Sequence, residues 1–188
     1  MVLKTRERLI EVARQLFAHK GVAKTTMNDI ANASDKGRRT IYTYFRSKKD
    51  IYNAVLESES DRLVMSLRSI VDSADDVDVR LRRFLKFRLE HNKVEASSSL
   101  KSWLKFDSRR VESINRMART KESQMLSALL DEGCRAGVFR ASRCKLLEGF
   151  INECIARLDI PKPEVSDPVR REAIFDAFVE FILSDIKA

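Results

Sequence analysis

The sequence predicts an all-α protein, and three observations carry that expectation. Apolar residues recur at helical spacing nearly from end to end, and no segment alternates apolar and polar residues between turn signals. All three prolines, Pro161, Pro163 and Pro168, fall in one short stretch, so the first 160 residues contain none. With 188 residues, 44% hydrophobic and 34% charged, the chain has the composition of a globular protein of one or two domains with a buried core. No uncharged run is long enough to cross a membrane. The start MVLKTRERLIEVARQLF is charged from residue 4 onward and reads as an amphipathic helix rather than a secretory signal, which places the protein in the cytoplasm. Three cysteines in such a chain are expected as free thiols.

The elements follow in order. A first helix over residues 4–20 turns Leu9, Ile10, Ala13, Leu16 and Phe17 to one face, and Gly21 sits where a left-handed C-terminal cap is wanted. Thr26 and Asp29 have the spacing of a capping box and open a second helix. Ser34 to Gly37 break the pattern before a third short helix, 38–45, with Ile41 and Phe45 on its inner side. Ser47 and Asp50 repeat the start signal for a long helix reaching about residue 73. Acidic residues at 72, 75, 76 and 78 mark the next boundary, and helices over 78–95, 98–107 and 109–135 follow. A helix over 142–158 precedes the prolines. Asp167 and Pro168 then form a cap and first-turn pair for a last helix to about residue 186. That last helix is apolar on more than one stripe and therefore needs two partners, one of them, by inference, a second copy of the chain. A helix simply central to its own body is the other reading.

Composition excludes several chemistries. Five glycines, at 21, 37, 133, 137 and 149, assemble no phosphate-binding loop. Two histidines, His19 and His91, leave little for a histidine-based triad or a zinc site. No catalytic residue, metal ligand or cofactor is expected. Cys134, Cys144 and Cys154 are ten residues apart, outside zinc-type spacing, and Cys154 falls on an apolar stripe. The net charge of +8 is unevenly placed: residues 1–50 hold twelve Lys and Arg against five acids, a net +7, and residues 51–188 hold a net +1. A basic first quarter on a nearly neutral body is the electrostatic footprint of a nucleic-acid-binding module joined to something else.

Two short helices across a tight turn, the second of them basic, form the arrangement by which a helix-turn-helix lays its second helix in the major groove. From Arg8 the run RLIEVARQLFAHKGVAKTTMNDIANASDKGRRTIYTYFRSKKDIYNAVL resembles the N-terminal domain of the tetracycline-repressor (TetR) family of bacterial transcriptional regulators. Ile10, Ala13, Phe17, Gly21, Thr25, Thr26, Ile30, Ala31, Thr40, Ile41, Tyr42, Phe45, Lys48 and Ile51 carry the match, and TIYTYFRSKKDIY is its most specific part. The resemblance implies a helix-turn-helix DNA-binding domain over 1–47 and a helical effector-binding and dimerisation domain over 48–188. It further implies a homodimer that binds a palindromic operator and is released by a small-molecule ligand. The chain departs from the family at the turn, where Asp35, Lys36 and Gly37 replace the usual Gly-Val-Ser. Asp tolerates the left-handed backbone better than most residues, and with the serine gone Asp35 is the expected cap of the third helix.

With Ile41 and Phe45 inward, helical geometry points Arg39 and Thr43 outward and leaves Arg38 on the first turn. Arg38 and Arg39 are the expected base readers, because a guanidinium pairs bidentately with guanine. Thr43 is placed to touch a thymine methyl or a phosphate, and Thr40 joins the candidate contacts. The resemblance sets Thr26, Tyr42, Tyr44 and Lys48 near the DNA backbone, although either tyrosine equally suits packing between helices. In the body, Phe84, Phe87, Trp103, Phe106, Met117 and Met125 are the candidates for lining an effector pocket, against the simpler reading of ordinary core. Phe150, Ile151, Cys154, Phe175, Phe178, Phe181 and Ile182 are the candidates for the dimer interface. The alternative to a regulator is a helical interaction adapter of the same fold without sequence readout, against which Arg38 and Arg39 argue. An enzyme in the helical body finds no nucleophile, base or metal constellation to support it.

Overall fold

The computed structural model describes residues 2–91, 108–157 and 168–188. Eight helices are formed among them: α1 (Val2–Lys20), α2 (Met27–Ala33), α3 (Arg38–Tyr44), α4 (Lys48–Val71), α5 (Val77–Glu90), α6 (Ser108–Arg135), α7 (Ala141–Arg157) and α8 (Pro168–Ile186). No strand is formed among the described residues, and an isolated bridge joins Phe139 to Lys187. The all-α class is therefore as expected. None of the described helices is long and apolar enough to cross a membrane. The expected helix over 98–107, with Trp103 and Phe106, lies outside the described residues, as do Pro161, Pro163 and the cap at Asp167. The chain divides into two compact units, one of residues 1–62 with 94–116, the other of residues 63–93 with 117–188.

The first unit owes its boundaries to local chemistry. Gly21 ends α1 at φ 81°, a left-handed conformation that costs glycine nothing, and its N–H donates to the Phe17 carbonyl at 3.1 Å. Thr26 opens α2 with a complete capping box: its hydroxyl oxygen accepts from the Asp29 N–H at 3.1 Å, and the Asp29 carboxylate accepts from the Thr26 N–H at 2.9 Å. That backbone hydrogen bond holds the Asp29 carboxyl below its ordinary pKa. The Ser47 hydroxyl accepts from the Asp50 N–H at the start of α4, as its spacing predicts. Leu9, Ile10, Val12, Ala13 and Phe17 of α1, Ile30 and Ala31 of α2, Ile41 of α3, and Ile51, Tyr52, Val55 and Leu56 of α4 form one core, with Phe45 and Ile114. The rings of Phe17 and Tyr52 tilt against each other at 6.2 Å.

Between α2 and α3 the structure corrects one expectation. Asp35 adopts the left-handed conformation, at φ 54°, but it does not cap α3. The cap position is Gly37, and no side chain bonds there. The turn places Asp35 two residues before the cap position, too early for its carboxylate to serve the first turn. What closes the turn is backbone: the Lys36 N–H donates to the Ala31 carbonyl at 3.0 Å.

The second unit packs Leu67 of α4, Leu81, Phe84 and Leu85 of α5, Met125, Leu126, Leu129 and Leu130 of α6, Ile151 of α7, and Val179, Ile182, Leu183 and Ile186 of α8 around one core. An ion-pair ladder ties α5 to α8, with Asp78 on Lys187, Arg82 on Glu180, and Lys86 on both Glu172 and Asp176. The α6–α7 connection is held by a close approach, since a Cβ on Gly133 would overlap the ring of the buried Phe139. The Arg140 N–H donates to the Ile186 carbonyl at 2.8 Å and the Ala188 N–H to the Val138 carbonyl at 3.0 Å, which fastens the end of the described chain to this connection. Arg88 and Glu122, both almost fully buried, pair at 2.7 Å.

Candidate nucleic-acid interface

Helix α3 is a small element anchored on one side only. Ile41 is fully buried, and Phe45, which follows the helix in extended conformation, is almost so. At 100° per residue this anchoring commits the opposite side to solvent. Arg38, Arg39 and Thr43 are exposed there, Tyr42 is 44% exposed, and Thr40 is half-buried. The Arg38 guanidinium lies over the Tyr42 ring at 5.9 Å, a cation–π contact that restrains both side chains on the outer face. The Thr43 hydroxyl donates back to the Arg39 carbonyl at 3.0 Å, which leaves its methyl and its lone pairs outward. The two tyrosines separate. Tyr44 is half-buried and packs against the core of the unit, whereas Tyr42 faces out.

The remaining sequence-derived positions divide likewise. Thr26 is exposed at the start of α2, its oxygen engaged in the capping box. Lys48 is half-buried, and its ammonium donates to the carbonyls of Val22, Ala23 and Thr25. Sequence reasoning did not find those acceptors, nor Arg6, whose guanidinium stands over the Phe45 ring at 5.5 Å and brings a cation of α1 to the end of α3. Both contacts join residues more than twenty positions apart, and no local pattern announces them. Not all of the basic charge of the first fifty residues is presented to solvent. Arg14 pairs with Glu11 and Glu59, and Lys20 reaches Asp29 at 3.9 Å.

In the second unit, Phe84 and Met125 are buried in the core, Phe87 is half-buried and stacks on the His91 ring at 4.1 Å, and Met117 is 63% exposed. Trp103 and Phe106 lie outside the described residues. Among the residues expected to meet a second copy, Ile151, Phe175 and Ile182 are buried within their own unit, Phe178 is half-buried, and Phe150 and Phe181 are exposed. The side chain of Cys154 is outside the described set. Leu146, one turn before Phe150, and Ile174, on the same stripe of α8 as Phe178 and Phe181, are also exposed. Burial, then the neighbouring Cys134 thiol, push the Cys144 pKa up to about 12.

Known proteins share this segment and this fold. The sequence model for bacterial regulatory proteins of the tetR family matches residues 9–55, which run from the first core leucine of α1 into α4. The "Probable acrEF/envCD operon repressor" of Escherichia coli (strain K12) is 51% identical over 51 residues, covering 27% of this chain and 23% of that one, so the chain matches about a quarter of that relative's length. Among solved structures, a protein from Saccharomonospora viridis in complex with choline superposes with a TM-score of 0.73 at 21% identity over 98% of both chains. A transcriptional regulator of the TetR/AcrR family from Thermobifida fusca YX-ER1 gives 0.65 at 21% identity over 95% of this chain and 96% of that one. At such identity these two speak for the fold. Residues 9–55 thus carry the helix-turn-helix domain of the tetR family of bacterial regulatory proteins, within an all-helical architecture shared with solved regulators.

Proposed function

We propose that this protein is a sequence-specific DNA-binding transcriptional regulator, a repressor that binds a palindromic operator as a homodimer and is released by a small-molecule ligand. The observation that carries the reading is the outer face of α3, where Arg38 and Arg39 stand exposed on a helix anchored by Ile41 and Phe45. Two guanidinium forks at the start of a helix that fits the major groove read guanine O6 and N7. Thr43 offers a methyl to thymine from the same face, and Thr26, Thr40 and Tyr42 stand beside it for contacts that set register. Residues 1–47 do the reading and residues 48–188 supply dimerisation and effector binding. Such a regulator works in the cytoplasm, where bacterial DNA is.

The E. coli relative supports the repressor reading through its name. The choline complex of the S. viridis protein supports a small-molecule effector for this architecture. In this chain Phe84, Phe87, Met117 and Met125 are the described apolar candidates for such a pocket, and binding shifts DNA affinity only to the extent that the ligand prefers one state of the protein. For the second copy, the exposed apolar side chains of α7 and α8, Leu146, Phe150, Ile174 and Phe181, are the surface to cover.

Selection of bound DNA from a random pool tests the reading. Enrichment of a near-palindrome with guanines in each half-site is the expected result. Binding to all sequences alike, steeply weakened by salt, would instead identify the helical adapter that keeps the fold without readout.

A further inference from the structure

Lys48 is the first residue of α4, and its side chain runs back to the turn between α1 and α2. The ammonium donates to the Val22 carbonyl at 2.9 Å, the Ala23 carbonyl at 3.3 Å and the Thr25 carbonyl at 2.9 Å. An ammonium has three donors and no acceptor, so one turn of backbone accommodates the full set. The turn itself is well fixed at its edges. Gly21 is left-handed, Val22 and Thr25 are fully buried, and the Thr25 hydroxyl donates to the Gly21 carbonyl at 2.8 Å. Within the turn the Val22 carbonyl accepts only a long bond from the Thr25 N–H, at 3.4 Å, and Lys48 adds a shorter donor there and one to each of Ala23 and Thr25. These bonds are charge-assisted. Partial burial against this turn lowers the Lys48 pKa from the ordinary lysine value.

We propose that Lys48 is a positioning residue for DNA recognition and not a phosphate contact: by fastening the first turn of α4 to the 22–25 turn, it fixes the entry of α2 and, through α2, the angle at which α3 presents its arginines. Thr26, the cap of α2, is the residue immediately after the last of the three acceptors. Helices α2 and α3 pack on each other across a turn of four residues, so a tilt at the start of α2 is passed to α3. The inference rests on the regulator reading above.

The charge and the geometry of Lys48 can be separated by substitution. Lys48→Arg keeps the charge, but a planar fork does not fit three convergent carbonyls. Lys48→Met keeps the length and removes every donor. Binding of both variants to the sequence enriched by the wild-type chain is measured across a salt series, together with amide exchange of the DNA-free proteins. Both variants are expected to lose about tenfold in affinity, equivalent to about 1.4 kcal/mol, at every salt concentration, with log–log slopes parallel to wild type. The ratio of specific to random binding falls with it, and the Val22 to Thr25 amides exchange faster while those of mid-α4 keep their protection.

An Arg variant at wild-type affinity beside a Met variant whose slope is flatter by about one would identify a phosphate contact and overturn the proposal. So would a Met variant that binds unchanged. If Lys48→Met proves unfolded, Lys48→Arg decides on the same criteria. A wild-type chain that enriches no sequence overturns the regulator reading; faster loop exchange in the variants then still upholds the fastening by Lys48, and unchanged exchange overturns it.

Discussion

Arg39 projects into solvent from a helix whose other side is buried, so its removal costs the fold little and leaves its effect to DNA. Arg39→Ala is expected to relax preference at one base-pair position in each half-site, reducing discrimination there by about 1–3 kcal/mol. Binding to variant operators at fixed salt checks it, and unchanged selectivity would remove Arg39 from the readers. A second single-residue expectation concerns stability. The Glu11 carboxylate accepts from Arg14 at 2.6 Å, Arg62 at 2.7 Å and Gln15 at 3.0 Å. Hydrogen bonds from Arg14 and then Arg62 lower its pKa to about 2. A carboxyl with a depressed folded-state pKa stabilises above its unfolded value, and that contribution is lost as pH falls toward the folded one. Solvent screening at this partly exposed site holds the effect to about 1 kcal/mol. Glu11→Gln is therefore expected to destabilise by about that amount at neutral pH, with the difference shrinking between about pH 4.5 and pH 2 in urea titrations. A constant difference over that window would show that the charge is not involved.

At the scale of elements, the capping box is the clearest device. Thr26→Ala removes the hydroxyl that accepts from Asp29, and about 1 kcal/mol of stability is expected to go with it in chemical denaturation. Gly133→Ala is expected to cost more, about 1–3 kcal/mol, because the added methyl meets the buried Phe139 ring and the α6–α7 connection must yield. A melting temperature equal to wild type would show that Phe139 can move aside. These two devices mark what the sequence makes legible. Helix ends set by partners within four residues, such as Thr26 with Asp29 and Ser47 with Asp50, can be read directly, because the chemistry is local. The inward side of α3 is legible too, since Ile41 and Phe45 fix its rotation. What is not legible is tertiary. Nothing near Lys48 says that its acceptors lie at 22–25, and nothing near Arg6 says that it meets Phe45. Asp35 shows the limit from the other side: its left-handed conformation followed from the turn, but its supposed cap of α3 failed because Asp35 stands two residues ahead of the cap position, and reach depends on register.

For the whole molecule, the uneven charge and the uneven burial of α8 point to two different partners. The basic first fifty residues suit a polyanion, and the arginines on α3 give that attraction a direction. The apolar residues of α8 divide between a core stripe of Phe175, Val179, Ile182 and Ile186 and an exposed stripe bearing Ile174 and Phe181. In the proposed homodimer the solvent-facing phenylalanines on neighbouring helices, Phe150 on α7 and Phe181 on α8, are the side chains for a second copy to cover. Replacing both with glutamate sets like charges against each other across such an interface without disturbing the buried stripe. The double variant Phe150→Glu, Phe181→Glu is expected to sediment as a monomer with unchanged helix content, whereas the wild type sediments as a dimer. Operator affinity should fall steeply, because two half-sites no longer share one linked protein and the gain from effective concentration is lost. Binding to an isolated half-site should be unaffected, since Arg38, Arg39 and their anchors are untouched. A double variant that keeps the dimer mass would place the interface on another surface and return Phe150 and Phe181 to the ordinary scatter of exposed apolar residues.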